Sequence, residues 1–117
     1  MRVLIVDDHP SFRATARALL EAEGFDVIGE AVDGASAVDT CRRLRPQLVL
    51  LDVQLPDKDG FTVCAELLSN GAAPDVVLTS SRDSGDYGAL IGRSGARGFV
   101  PKAELSGAAL AALLPES

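Results

Sequence analysis

Five short apolar runs recur along the chain, each nearly free of charge, and a segment of helical period comes after each of them. That alternation leaves few folds open. The runs are Arg2–Val6, Asp26–Ala31, Gln47–Leu51, Val76–Leu78 and Gly98–Val100. Runs this short, rich in Leu and β-branched residues, are expected of strands covered on both faces. Helical segments are expected to begin near Ser11, Ala35, Phe61, Gly85 and Leu105. The first carries Phe12, Ala16, Leu19 and Leu20 on one stripe, with Pro10 suited to its opening turn and Gly24 to its end. The second carries Val38, Cys41 and Leu44 and ends before Pro46; the third carries Val63, Leu67 and Leu68 and is closed by Asn70-Gly71. Strand–helix alternation of this kind predicts βαβ crossovers, hence a doubly wound α/β fold around a five-stranded parallel sheet. The order 2-1-3-4-5 fits, because it puts the second run, interrupted by Gly29 and Glu30, at an edge.

A length of 117 residues predicts one domain over 1–117, with a core of Val, Leu, Ile and Ala because aromatics are only 4%. The net charge of −6 argues against direct nucleic-acid binding, which needs clustered Lys and Arg. No apolar run approaches the ~18 residues of a membrane span. Asp7 and Asp8 interrupt the first run too early for an export signal, so a cytoplasmic location is expected. Cys41 and Cys64 lack metal-ligand spacing and sit inside apolar helical patterns, where they read as small buried hydrophobes.

The chemistry lies in the polar residues that close the runs. The first ends at Asp7-Asp8, the third at Asp52, the fourth at Thr79, and Lys102 comes just after the fifth. In a parallel sheet all carboxyl ends share one edge, and ligands bind there where the strand order reverses. Three carboxylates, a hydroxyl and an ammonium are therefore expected to converge. Packed carboxylates repel unless one keeps its proton or a cation sits among them. A hard-oxygen set favours Mg2+. With Lys102 and Thr79 available for anionic oxygens, the set suits phosphoryl transfer, and Asp52, alone on the middle strand, is the candidate nucleophile.

Four stretches carry a resemblance: Val3-Leu4-Ile5-Val6-Asp7-Asp8; Leu50 to Gly60, containing D-x-x-L-P-x-x-D-G from Asp52; Val77-Leu78-Thr79-Ser80; and Gly95 to Lys102. The chain resembles a response-regulator receiver domain of bacterial two-component signalling. That resemblance implies the flavodoxin-like (βα)5 receiver fold. It implies that Asp52 accepts a phosphoryl group from a phosphohistidine on a sensor histidine kinase, becoming 4-aspartylphosphate. Asp8 and Asp52, with the backbone carbonyl of Gln54, would hold Mg2+, and Asp7 would act directly or through water. Thr79 and Lys102 would grip the phosphoryl oxygens. Thr79 and Phe99 would form the switch that alters a surface of the fourth helix, fifth strand and fifth helix, controlling a partner or output domain. Such a module catalyses only its own phosphorylation and dephosphorylation, with Gln54 and Ser81 tuning the phosphoryl lifetime.

The chain departs from the family pattern in several places. Phe99 stands where tyrosine is usual, which removes a hydroxyl from the switch. Ala103, not proline, comes after Lys102, so a trans peptide is expected there. Gly85, Gly88, Gly92 and Gly95 punctuate the fourth helix. They predict a marginal helix, ordered by phosphorylation or a partner, or else a site of close packing. The fifth helix is Ala-rich, flanked by Glu104 and Glu116, and its outer side could serve a phosphorylation-dependent homodimer or be plain surface. His9 reads as a loop residue at a helix start rather than a phosphoryl relay. The alternative of a small Mg2+-dependent phosphohydrolase with an aspartyl nucleophile wants an acid two residues after Asp52, where Gln54 stands. A flavin-binding reading wants a phosphate cradle where Asp7-Asp8-His9-Pro10 stands. The opening Val-Asp-Asp-His-Pro resembles the receivers of LuxR-type regulators. The chain stops at Ser117 after the fifth helix, so a stand-alone receiver or the receiver part of a longer regulator, without the DNA-binding domain, is expected.

Overall fold

A computed structural model describes residues 1–69, 73–82 and 84–115. The strands are β1 (Arg2–Val6), β2 (Asp26–Ala31), β3 (Leu48–Asp52), β4 (Asp75–Ser80) and β5 (Gly98–Pro101). The α-helices are α1 (Pro10–Ala22), α2 (Gly34–Leu44), α3 (Gly60–Leu68), α4 (Ala89–Arg93) and α5 (Gly107–Leu113), with single 3-10 turns at Ser84–Asp86 and Lys102–Glu104. The strands form one sheet in the order β2-β1-β3-β4-β5, and every neighbouring pair is parallel. The doubly wound order and the edge position of β2 thus stand as expected. The closure of α3 by Asn70-Gly71 and the charge at Glu116 lie outside the described residues.

Strand alternation divides the core into two layers. Val3, Ile5, Leu48, Leu50, Val77 and Val100 pack with Ala16 and Leu20 of α1 and Leu110 of α5. Leu4, Val6, Val49, Leu51, Val76 and Leu78 pack with Val38 and Cys41 of α2 and Val63, Cys64 and Leu67 of α3. All five residues of β3 are buried, as befits the central strand. Each fully buried Leu contributes about 1.5–3 kcal/mol of transfer free energy. Both thiols are buried, and burial pushes Cys64 up to about 11, so neither is poised as a ligand or nucleophile.

Several boundaries differ from the sequence reading, each for a local reason. Asp52 belongs to β3 because it pairs in register with Thr79, whereas Gln47 lies before the strand and bonds Arg2. β4 runs on through Thr79 and Ser80, which are paired with Val100 and Pro101 of β5. The fourth helix does not begin near Gly85. A 3-10 turn stands there, Tyr87 and Gly88 come next, and α4 starts at Ala89, because Gly88 takes φ +52°. α4 is five residues long with none buried. Close packing does not explain Gly88 or Gly92, where a Cβ would meet nothing within 4 Å, but it holds at Gly95, where a Cβ would lie 2.8 Å from Leu68 Cδ1. The fifth helix starts at Gly107, not Leu105, where the Ser106 hydroxyl caps it by accepting from Ala109 N at 3.0 Å.

Candidate acidic phosphoacceptor pocket

The same alternation that builds one core layer also builds the site. Asp7 lies two positions beyond Ile5, Asp52 two beyond Leu50, Thr79 two beyond Val77, and Lys102 two beyond Val100. All four residues therefore continue the α1/α5 side of the sheet to its carboxyl edge. Asp7 is fully buried and Asp52 is 2% exposed, while the Asp8 side chain, on the opposite alternation, is 35% exposed.

Lys102 ties the constellation together. Its Nζ lies 2.7 Å from Asp7 Oδ2 and 3.3 Å from Asp52 Oδ2, with the ring of Phe12 beneath it at 4.4 Å to the centroid. Asp7 Oδ1 accepts from His9 N at 2.8 Å, and His9 Nδ1 stands 3.0 Å from it and 3.1 Å from Asp8 Oδ1. Asp52 Oδ1 accepts from Gln54 N at 3.0 Å. Thr79 Oγ1 donates to the Val100 carbonyl at 2.6 Å. Arg13 Nη1 donates to the Asp7 carbonyl at 2.7 Å and its Nε to Glu30 at 2.9 Å, anchoring the β1–α1 loop to edge strand β2.

This packing sets the protonation equilibria. Burial is the largest influence on Asp7 and would push it up, but the Lys102 ammonium and the His9 donors together hold it below the usual carboxylate range. Burial likewise pushes Asp52 up, the Gln54 N–H pulls it down and the Asp7 charge pushes it up again, leaving it at about 6. Lys102 is lowered by burial but raised overall by the two carboxylates. At neutral pH the pocket therefore holds ionised Asp7, ionised Asp52 and a charged lysine.

Asp7, Asp8, His9 and Asp52 each offer a ligand atom, and these atoms lie within 4.8 Å of one another. Among the described residues, the buried Asp7 Oδ2 has no aligned hydrogen-bond partner, although the Lys102 ammonium lies 2.7 Å from it. Hard oxygens with unsatisfied lone pairs at the carboxyl edge of the sheet fit a small divalent cation.

The structure thus brings together Asp7, Asp8, Asp52 and Lys102, and it places Gln54 and Ser81 exposed at the rim. Thr79 is turned to the β5 backbone. Phe99 lies on the other side of the sheet, against Tyr87. The Lys102–Ala103 peptide is trans. The residue pattern gives no role at the site to Phe12, which belongs there only to the apolar stripe of α1, or to Arg13. It sets His9 aside as a loop residue, yet the imidazole rests on both acidic side chains. No spacing signal marks these contacts, since each depends on how α1 lies across the sheet.

A doubly wound α/β domain with this acidic, lysine-bridged pocket at its switch edge defines the class. The chain belongs to the response regulator receiver domains: that family's model matches residues 3–113. It is accordingly a phosphorylatable receiver of two-component signalling. It is 43% identical over 104 residues to the DNA-binding response regulator MtrA of Mycolicibacterium smegmatis, covering 86% of this chain and 43% of that protein. The chain spans about half the length of the curated relatives it matches. Among solved structures it is similar to a LuxR-family two-component response regulator from Aurantimonas (TM-score 0.85, 29% identity, 96% of this chain and 84% of that one). It is also similar to the BeF3-activated N-terminal receiver domain of Klebsiella pneumoniae RstA (TM-score 0.84, 33% identity, 97% and 95%). No described helix is long and apolar enough to cross a membrane.

Proposed function

We propose that residues 1–117 act as one receiver domain in which Asp52 is the phosphoryl acceptor. The observation that supports this is the position of Asp52: buried on the central strand, one oxygen held by Gln54 N, the other facing Lys102. With its pKa at about 6, Asp52 is an ionised nucleophile at neutral pH. A carboxylate oxygen of Asp52 forms the new P–O bond as the P–N bond of a phosphohistidine on a sensor kinase breaks, and the kinase imidazole leaves neutral because its other ring nitrogen already carries a proton. Lys102 neutralises charge on the transferred group, and the Thr79 hydroxyl, once released from Val100, binds one of its oxygens. Asp7, Asp8 and Asp52, with the Gln54 carbonyl, are the residues that would hold Mg2+, which when bound supplies charge neutralisation at the phosphoryl oxygens.

The downstream surface comprises α4, β5 and α5, and its partner is an output protein or domain or a second copy of the phosphorylated chain. The reaction ends at the domain's own phosphorylation and dephosphorylation, and the setting is cytoplasmic. A phosphohydrolase is not favoured, because the position two residues after Asp52 carries exposed Gln54, which has no acidic proton to give a leaving group.

Incubation with Mg2+ and a small acyl-phosphate donor, with intact mass as the readout, tests this reading. The expected result is one phosphoryl group on wild type, and none on Asp52→Ala or when EDTA removes the metal. Equal uptake by Asp52→Ala would contradict it.

A further inference from the structure

The switch residue Phe99 has no hydroxyl, yet the structure holds one in its immediate neighbourhood. Tyr87 lies between two rings, its centroid 5.7 Å from Phe61 and 5.6 Å from Phe99. Its hydroxyl shares a hydrogen bond of 2.6 Å with Ser80 Oγ, which also accepts from Arg82 N at 3.1 Å. Ser80 is fully buried and stands directly after Thr79 in β4, so the two side chains point to opposite faces of the sheet. One faces the acidic pocket, the other the aromatic cluster. Tyr87 also borders α4, none of whose residues is buried and whose Leu90 is 51% exposed. The Tyr87–Ser80 bond is therefore a polar tie between the sheet and a segment with little packing of its own.

Thr79 now donates to Val100 O across the β4–β5 pairing. To bond a phosphoryl group on Asp52 it must give up that carbonyl, and a strand end that reseats carries the side chains of both faces with it. We propose that Tyr87, through Ser80, is the positioning residue that transmits the state of the acidic pocket to α4. It fastens α4 to the sheet before phosphorylation and releases it afterwards, supplying the hydroxyl that Phe99 lacks. This rests on the reading of Asp52 as phosphoryl acceptor and adds the route by which the surface responds.

Hydrogen exchange of wild type, Tyr87→Phe and Ser80→Ala, each with and without Mg2+ and an acyl-phosphate donor, tests the proposal. Tyr87→Phe keeps the stacked ring and removes only the hydroxyl. Before phosphorylation, amides from Tyr87 to Arg93 are expected to exchange about fivefold faster in either variant than in wild type. Phosphorylation is expected to speed them by a similar factor in wild type and to add little in the variants, with phosphoryl uptake by mass equal in all three. A bond that merely stabilised the fold would leave the phosphorylation response of the variants intact. That result, or exchange in Tyr87→Phe identical to wild type, would overturn the proposal. Absence of uptake in every chain would instead overturn the acceptor reading, and the coupling with it.

Discussion

Asp52→Asn is expected to make the metal-free protein more stable than wild type at pH 7, by about 1–3 kcal/mol. The folded carboxyl titrates at about 6 against a reference of 3.8, because burial and the neighbouring Asp7 charge disfavour the ionised form. That difference corresponds to an upper bound of about 3 kcal/mol at 1.36 kcal/mol per pH unit. The value of about 6 is already net of the Asp52–Lys102 contact at 3.3 Å, which pulls it down, and in the variant Lys102 keeps Asp7 at 2.7 Å. Proton counting gives the sign. Between about pH 4 and pH 6 the unfolded carboxyl has lost a proton that the folded one retains, so wild-type stability falls as pH rises through that window. Above it the cost is fully present; below it the cost is absent. Urea unfolding of both proteins in EDTA should therefore show the variant ahead at pH 7 and the two converging near pH 4. A variant less stable than wild type at pH 7, or an equal gain at both pH values, would contradict the electrostatic account. Added Mg2+ is expected to stabilise wild type more than Asp52→Asn, through preferential binding to the folded state.

Gly60→Ala is expected to be the most damaging of the small substitutions. Gly60 opens α3 where the chain doubles back on β3, closed by a bridge between Gln54 and Asp59 and by Gly60 N donating to Val53 O at 2.6 Å. A Cβ at Gly60 would run into the Asp52 carbonyl oxygen and lie 2.7 Å from Val53 Cα. Both obstacles are backbone, and one belongs to Asp52, the proposed acceptor, so relief requires β3 and the loop to part. The expected cost is about 3 kcal/mol of stability. Phosphoryl uptake by the remaining folded protein should be slower by about tenfold or more, because Asp52 is displaced relative to Lys102. Gly92→Ala supplies the contrast: nothing lies within 4 Å of its Cβ, and α4 should gain from it. Equal stability and uptake rates in Gly60→Ala and wild type would show that the loop is not held as described.

The two periodicities of the chain account for how much is legible without coordinates. Strand alternation places Asp7, Asp52, Thr79 and Lys102 at the end of one core layer, and parallel pairing brings them to one edge, so residue order alone implies the convergence. The register that admits Asp52 and Thr79 into the ladder is a property of paired strands, and an apolar run shows only its own extent. Phe12 reads as a core residue because helix periodicity reports a face and not what crosses that face; Lys102 arrives over its ring from β5. Tyr87 and Ser80 are separated by glycine-punctuated chain with no period, and their meeting depends on the 3-10 turn at Ser84–Asp86. The late start of α4 has the same origin, since the positive φ of Gly88 is a choice of backbone that composition alone does not dictate.

Which side chain carries the phosphoryl group can be read chemically. An acyl phosphate on aspartate can be reduced by borohydride to the corresponding alcohol, which marks the position permanently for peptide mass analysis. After incubation with Mg2+ and an acyl-phosphate donor, homoserine is expected at position 52, with Asp7, Asp8, Asp57 and Asp59 left as aspartate. Reduction at any of those four positions, or stable phosphorylation on a hydroxyl or on His9 with Asp52 untouched, would contradict it.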